Sequence, residues 1–473
     1  MKYFFSGILL TIFLFSCNNN KSKNNFAYLG GQIIKQPGEN NIVVLSKDNV
    51  TIDSIKIDGR GKFLYKIKNL KPGLYTFRHE GEVQMVLLEP QDSILLRLNT
   101  LEFDESLVFT GNGNKKNNYL IEEFLENERL EKTIFKYCQL PPNIYEYKVD
   151  SIKDLKLERL KLFKNSNKTS KLFNNIAQAN IKYSYYSAKE IYPFVHYGRD
   201  KYKILQSLPK GYYDYRKDVN YNDTLFNTYD YYRTFLRHNI NSIALSKHTK
   251  QDTSKPFKRS SVCFNLDRLE VTDSLLKNST IKDDFLFHFA ISYVARSHNN
   301  EDNTKILSSF LSKSNNDADK THLKRYVESA NKLKVGSTIP NIAIVDYNNA
   351  EFKLQNIVNK PTVICFWSQD YFNHFLQSHR KVKELKIKYP EVDFIIINSD
   401  KSNPHTIKEL LINNHFPLTN EYVFSAPKES SEILAIHPIT KAFIIDKRKY
   451  IVNGNANIFS VRFEEQLLGA INR

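Results

Sequence analysis

Residues 362–375, with the sequence TVICFWSQDYFNHF, place the strongest constraint on how this chain can fold. Residues 362–366 are an apolar run of the kind that forms a buried strand. The chain then passes Trp367 and meets a polar turn at residues 368–370. A helical pattern begins near Tyr371, with apolar residues three and four positions apart. The segment therefore predicts a buried strand that leads directly into a helix.

This layout resembles the start of a TlpA-like thioredoxin-fold domain, in which a buried strand ends in an FWAxWCxxC motif. Phe366 and Trp367 match the motif, and its two cysteine positions fall on Tyr371 and His374. Thiol–disulfide exchange needs one thiolate to attack and a second thiol to resolve the mixed disulfide. A phenol and an imidazole cannot form that sulfur–sulfur bond. The resemblance thus implies a redox scaffold without its reactive pair, and we predict no catalytic residue at these degenerate positions.

The resemblance extends over residues 335–473. Residues 336–340 are similar to the "vG..aP.f.l" entry of TlpA-like domains, and residues 352–356 to the step before the central strand. The apolar run at residues 392–398 is typical of a strand covered on both faces. Further predicted elements are helices at 406–412 and 461–471 and a hairpin at 442–446 and 450–452. We expect a C-terminal α/β thioredoxin-like domain of the AhpC/TSA–redoxin superfamily.

The family's cis-proline gives a second departure. In the family this proline stands six residues before the aspartate of a "P..FLID" strand. The matching aspartate here is Asp446, so the proline position falls on Thr440. Pro438 lies two residues earlier. Either the loop shifts and Pro438 takes the role, or the cis-proline is absent. Because a cis bond before a residue other than proline costs about 2.5–4 kcal/mol, a trans Thr440 is the default expectation.

Other residues near this corner are candidates for contacts rather than chemistry. We expect Trp367 to be a partly exposed aromatic that anchors a protein contact, and Asp370 to cap the following helix. His374 and His437 would line the rim, but a metal site built from them lacks a third ligand. Cys365, on the central strand, is predicted to be a buried core thiol. The sequence predicts neither a metal nor a cofactor.

The N-terminus predicts export and attachment to a membrane. Lys2 precedes an apolar run, residues 4–15, that is too short to span a bilayer and suits a signal peptide at residues 1–16. The run ends in Ser16-Cys17, which resembles a lipoprotein signal with Cys17 as the lipidated residue. Residues 17–25 then form a polar tether without acidic residues, which favours the periplasmic side. A plain secretory signal or an uncleaved anchor remains the alternative.

Two further regions precede the thioredoxin-like part. Residues 26–113 contain short β-type runs separated by turn clusters, which predicts a β-sandwich; the order of runs and turns resembles an N-terminal domain of Bacteroidota lipoproteins. The predicted strands are residues 42–45, 51–57, 62–67, 74–78, 83–88 and 93–98. Residues 114–334 are rich in Tyr, Lys and Asn and predict an all-α region with helices near 119–130, 151–165, 171–190, 224–246 and 284–297. Prolines such as Pro193 are expected to interrupt these helices.

The aromatic cluster of the helical region has two interpretations: a ligand-facing groove or, as we favour, a packed core. Its members are Tyr183, Tyr185, Tyr186, Tyr192 and Tyr197.

Charge and cysteine content limit the partners. The chain has 473 residues and a formal net charge of +17, but it shows no zinc-finger spacing, RNP-type motif or dense arginine run, which argues against nucleic acid. After Cys17, three cysteines remain. A Cys138–Cys263 disulfide and separate free thiols are both compatible with the sequence.

Three hypotheses about function follow. The favoured one is a membrane-anchored lipoprotein whose thioredoxin-like domain is a non-catalytic binding or structural module with a protein or peptide partner. The second is a thiol–disulfide oxidoreductase of the cell envelope that uses a lone cysteine or another register. The third is a peptide- or glycan-binding lipoprotein that holds its ligand on the sandwich or the tyrosine-rich helices.

Overall fold

The computed structural model describes residues 25–34, 41–79, 82–251, 257–401 and 403–471. The predicted signal peptide, Cys17 and residues 17–24 of the tether lie outside these ranges. Within them, no helix combines the length and the apolar character that crossing a membrane requires.

The N-terminal region is a sandwich of two four-stranded sheets, ordered β4-β1-β7-β8 and β3-β2-β5-β6. Its strands are β1 (Ala27–Ile34), β2 (Ile42–Lys47), β3 (Val50–Lys56), β4 (Lys62–Ile67), β5 (Gly73–His79), β6 (Glu82–Leu88), β7 (Ser93–Asn99) and β8 (Val108–Asn112). Side chains of both sheets, among them Leu29, Phe77 and Ile94, share one buried core. Alternate residues of β5 and β7 point into that core, as the period of a strand requires.

Two strands, β1 and β8, were missing from the predicted set. In β1, Gly30 and Gly31 interrupt the apolar alternation on which the prediction depended. Gly31 has φ +149°, and a Cβ there would lie 1.9 Å from the carbonyl oxygen of Leu96. The glycine is therefore needed because β1 and β7 approach closely as a parallel pair.

Nine helices are described between the sandwich and the C-terminal sheet. They are α1 (Asn114–Tyr137), α2 (Pro142–Ser166), α3 (Lys171–Val195), α4 (Lys201–Gln206), α5 (Asp230–Gln251), α6 (Val262–Leu275), α7 (Ser279–Val294), α8 (Asn300–Lys313) and α9 (Asp317–Lys332). The sequence analysis did not identify α4, α6, α8 and α9. Pro193 does not interrupt α3, contrary to expectation, because it lies in the last turn and the helix runs on to Val195. Pro142 occupies the first turn of α2, where a missing N–H costs no hydrogen bond.

The tyrosine cluster is a packed core over most of its extent. Tyr183 and Tyr192 are 3% and 0% exposed. The Tyr183 ring stacks on Phe235 at a centroid distance of 5.4 Å, and Tyr186 stacks on Tyr215 at 4.0 Å. Tyr197, in contrast, is exposed. These contacts support the core interpretation over a ligand-facing groove.

The C-terminal region is built on a seven-stranded sheet in the order β10-β9-β13-β12-β11-β14-β15. Its elements are β9 (Ala343–Val345), β10 (Glu351–Lys353), α10 (Leu354–Ile357), β11 (Thr362–Trp367), α11 (Phe372–Lys388), β12 (Asp393–Asn398), α12 (Pro404–Asn413), β13 (Glu421–Phe424), α13 (Pro427–Ile433), β14 (Ala442–Ile445), β15 (Ile451–Ala456) and α14 (Phe463–Ile471). The strands β11, β12 and β13 are parallel to one another. Strand β14 is antiparallel to β11, and β15 is antiparallel to β14. Strands β9, β10 and β13 and helix α13 were not individually predicted.

Both faces of this sheet are covered. Ile364 and Phe366 of β11 belong to a buried cluster that continues into the helical region, where it includes Phe310 of α8. The alternating residues Cys365 and Trp367 point to the opposite face, into a second buried cluster with α11, α12 and α14. The sheet thus lies between the nine-helix region on one face and helices α11, α12 and α14 on the other. Burial on both faces explains the nearly continuous apolar runs in β11 and β12.

Candidate functional site

The corner between β11 and α11 is the position that the sequence analysis matched to the two cysteines of the FWAxWCxxC motif. The strand ends at Trp367, a single 3₁₀ turn covers residues 369–371, and α11 begins at Phe372. Two side-chain oxygens fix the turn: Ser368 Oγ accepts from the Asp370 backbone N–H at 3.1 Å, and Asp400 Oδ2 accepts from the Gln369 N–H at 2.7 Å. The predicted strand–turn–helix order is present.

Asp370 does not cap the helix as predicted. Its carboxylate is exposed, and the residue at the helix N-cap is Tyr371, whose side chain makes no capping bond to the described backbone. Ser368 takes the capping role one turn earlier, at the start of the 3₁₀ turn. The short turn between strand and helix moves the cap away from the position that spacing alone suggested.

Tyr371 and His374 occupy the corner but do not form a reactive pair. Tyr371 is 59% exposed. His374 is half-buried, and its ring meets that of Phe459 at 5.9 Å. Its Nδ1 is buried without a hydrogen-bond partner among the described residues. Burial, followed by the nearby His379, lowers the pKa of His374, so the ring is neutral at neutral pH.

The three described cysteines are free thiols, and none lies at this corner. The possible Cys138–Cys263 disulfide is therefore not formed. Cys365 is 3% exposed on the face of β11 that packs against α11. Burial raises its pKa to about 12, and the charge of Glu421 adds to the effect. Such a thiol is un-ionised and inaccessible, so it cannot attack a disulfide in solvent.

Trp367 is fully buried, which corrects the expectation of a partly exposed contact residue. Its ring lies 4.5 Å from Phe375 and 5.3 Å from His379. Both partners belong to α11, which returns across the strand immediately after the corner. Trp367 thus fixes the helix to the sheet and is not available as an anchor for another protein.

Beneath the corner lies a buried acid–base pair that the sequence analysis missed. His379 Nε2 is 3.1 Å from Glu421 Oε1, and both side chains are 2% exposed. His379 Nδ1 is 2.7 Å from the carbonyl oxygen of Phe375. Burial raises the pKa of Glu421, although His379, Lys386 and Trp367 act in the opposite direction. A charged residue within a short apolar strand was the signal that could have identified it.

The cis-proline is present at Pro438 and not at Thr440: the His437–Pro438 peptide bond is cis. Of the two alternatives left by the sequence, the shifted loop is therefore the one observed. Helix α9 contacts this loop, because the Tyr326 hydroxyl donates to the His437 carbonyl oxygen at 3.3 Å. The Tyr326 and His437 rings also meet edge to face at 6.3 Å.

His374 and His437 have different neighbours, Phe459 and Tyr326 respectively. Over the residues that the structure describes, no group of three or more His, Cys, Asp or Glu side chains is arranged to hold a metal ion.

Comparison with known proteins finds likeness in solved structures only. No protein-family model matches the chain, and no curated protein does. The chain is similar to a candidate thiol-disulfide oxidoreductase from Bacteroides vulgatus, at 21% identity over 29% of this chain and 98% of that one, with a TM-score of 0.27. It is also similar to a thioredoxin-like protein from Bacteroides caccae, at 16% identity over 57% of this chain and 94% of that one, with a TM-score of 0.32. A third similar structure is a candidate thiol:disulfide interchange protein from Chlorobium tepidum, at 18% identity over 29% and 99% of the two chains, with a TM-score of 0.24. Likeness at this level says nothing about activity, which has to be argued from the geometry of the corner.

Proposed function

We propose that this chain is a lipid-anchored protein of the cell envelope whose thioredoxin-like region acts as a non-catalytic binding or structural module. One observation carries the proposal: Tyr371 and His374 stand where exchange chemistry needs two thiols. No described thiol is close enough to replace them, because Cys365 is buried on the strand and Cys138 and Cys263 belong to the helical region. The partner in this proposal is a protein or peptide.

The chemistry of the corner supports a loss of exchange rather than a change of register. A reactive cysteine requires an accessible setting that favours the thiolate. Burial does the reverse for Cys365 and also raises the pKa of Cys138 to about 11. Cys263 is exposed, but it lies on α6, away from the corner sequence. A lone-cysteine enzyme would need a thiolate that neither buried position provides.

Insulin reduction with dithiothreitol tests the proposal directly. We expect the wild-type chain to remain at background, and a Cys263→Ser variant to do the same. A Tyr371→Cys/His374→Cys double variant should form an intramolecular disulfide, detected by mass spectrometry as the loss of two hydrogens. The matched Tyr371→Ser/His374→Ser variant should not. Wild-type turnover above background would overturn the non-catalytic assignment, and its loss in Cys263→Ser would assign the activity to that thiol.

Membrane attachment is a separate part of the proposal, and it rests on the sequence around Cys17, outside the described residues. Metabolic labelling with an alkyne fatty acid should mark the wild-type chain and place it in the membrane fraction. Cys17→Ala should lose both the label and the membrane association. A labelled Cys17→Ala chain, or an unlabelled wild type in the soluble fraction, would refute lipid anchoring without affecting the argument about the corner.

A further inference from the structure

Four arginines of the helical region lie near one another, and none forms an ion pair with a described carboxylate. They come from α5, the segment before α6, α6 itself and the turn after α7: Arg237, Arg259, Arg268 and Arg296. Asn265 links two of them, because its Nδ2 donates to the Arg259 carbonyl oxygen at 3.1 Å and its Oδ1 accepts from Arg268 Nη1 at 2.7 Å. The charges of Arg259, Arg296 and Arg237 also lower the pKa of Arg268. Several other arginines of the same region are paired, among them Arg216 with Glu190 and Arg233 with Asp284.

Arg268 is the least exposed residue of this arginine cluster. Its guanidinium carbon is 3.9 Å from the centroid of the Phe289 ring and 5.8 Å from that of Phe264. Nη1 donates to Asn265 Oδ1 at 2.7 Å. Nε is buried and has no hydrogen-bond partner among the described residues. Burial and the neighbouring arginines lower the pKa of Arg268 to about 9.

This arrangement is costly without a counter-charge. The Arg268 side chain is only partly exposed and its Nε is buried, and a partly desolvated cation without an anion or a full set of acceptors is unfavourable. Arg237, Arg259 and Arg296 are exposed around Arg268, so a ligand can reach the cluster from solvent. Asp230 lies within electrostatic range of Arg237 but does not form an ion pair with it.

Three histidines lie close to the cluster: His238 on α5, His288 on α7 and, from the C-terminal region, His437. The pKa of His288, on α7, is lowered to about 4 by burial and by Arg268, Arg237, His437 and Arg296. At neutral pH its ring is uncharged and can donate one hydrogen bond without adding repulsion. His437 precedes the cis-proline and lies within electrostatic range of Arg296.

We propose that these arginines form a binding site for a compact oxyanion, a phosphoryl or sulfate group, with Arg268 at its centre. Planar guanidinium groups match such oxygens with paired, charge-assisted hydrogen bonds. An oxyanion would provide the missing counter-charge and an acceptor for Arg268 Nε. The proposal does not depend on the loss of thiol exchange, so each can fail alone.

Calorimetric titration of the full chain with inorganic pyrophosphate, at ionic strength matched with chloride, tests the site. We expect saturable binding that weakens by roughly tenfold or more in Arg268→Gln and Arg296→Gln, since each loses a charge-assisted hydrogen bond. Arg296 is exposed, so its variant remains informative if Arg268→Gln fails to fold. Arg380→Gln, an exposed arginine on α11, is the matched control and should bind as the wild type does.

A second arm separates two sources of the phosphoryl group. Sedimentation with phosphatidylglycerol vesicles that is reduced by Arg296→Gln, and not by Arg380→Gln, would assign the site to a lipid headgroup. Pyrophosphate binding with vesicle binding that Arg296→Gln does not change would assign it to a free phosphorylated ligand. Absence of saturable binding in both arms, or equal losses in Arg296→Gln and Arg380→Gln, would overturn the proposal.

Discussion

Two buried glutamates, one in the helical region and one in the C-terminal region, have very different sets of hydrogen-bond and charge partners. Glu190 of α3 is 0% exposed, and its Oε1 accepts from Tyr215, Asn239 and Arg216 Nε at 2.6, 2.6 and 2.9 Å. Glu421 of β13 is 2% exposed and faces one imidazole, that of His379.

Their pKa values move in opposite directions. Burial favours the neutral form of both carboxyl groups, but the charge and hydrogen bonds of Arg216 lower the pKa of Glu190 overall. For Glu421 burial prevails, and the pKa is raised. Burial alone therefore does not decide whether an interior carboxyl is charged; the number of donors and a fixed cation do. The helical region holds a completed ion pair, whereas the C-terminal region holds an incompletely paired acid.

The largest effect should come from breaking the completed pair. Glu190→Gln leaves Arg216 with an uncompensated charge in the interior, and removal of one partner from a buried pair destabilises by about 3–5 kcal/mol. Urea denaturation at pH 7 measures this loss. A loss below about 1 kcal/mol would contradict the view that the pair is integral to the fold. Glu190→Leu/Arg216→Met, which removes both charges, should recover part of the stability.

Lys441 extends the comparison to a buried cation without a carboxylate. It is 7% exposed, and its Nζ donates to the carbonyl oxygens of Leu434 and Ala435 at 3.0 and 2.8 Å. Burial lowers its pKa to about 7. Between that value and the ordinary lysine pKa of about 10.4, the unfolded chain binds more protons than the folded chain. The free energy of unfolding therefore rises with pH in this window.

The wild type should therefore gain roughly 2 kcal/mol between pH 7 and pH 9 relative to Lys441→Met, whose stability lacks this titration. Chemical denaturation of both chains at the two pH values gives the difference. Parallel stability curves for the two chains would show that Lys441 remains protonated throughout.

A smaller change in the free energy of unfolding is expected for Glu421, the incompletely paired acid. Glu421→Gln keeps the shape and removes the charge, so we expect a change within about 1 kcal/mol at neutral pH, far below that of Glu190→Gln. Because the folded-state pKa of Glu421 is raised, its stabilising contribution is present at low pH and declines as pH rises through that value. Thermal denaturation from pH 4 upward should show this decline in the wild type and a flatter profile in Glu421→Gln. Equal, large losses in Glu190→Gln and Glu421→Gln would remove the distinction between the two sites.

The same comparison shows which features could be predicted from sequence. The corner at residues 368–371 was predictable because a strand pattern, a polar turn and a helix pattern are adjacent in the chain. The burial of Trp367 was not, since it depends on how α11 packs back across the strand after the turn. His379 and Glu421, which form a pair, lie 42 positions apart in the numbering and on different elements. The four arginines of the arginine cluster likewise belong to separate elements that lie near one another only in the folded chain.

The smallest effect should appear at an exposed ion pair, which serves as the reference for the buried one. Arg233 Nη1 lies 3.3 Å from Asp284 Oδ2, with the two side chains 33% and 48% exposed. The attraction there is screened by solvent, and such pairs contribute about 0.2–1 kcal/mol. Asp284→Asn should therefore lower the free energy of unfolding by no more than that, and the loss should shrink in 1 M salt. The Glu190→Gln loss should persist in the same salt, because screening ions do not reach a buried pair. If both losses shrank equally, the Glu190–Arg216 pair would be accessible to solvent, and the contrast between a completed and an incomplete interior charge would have to be abandoned.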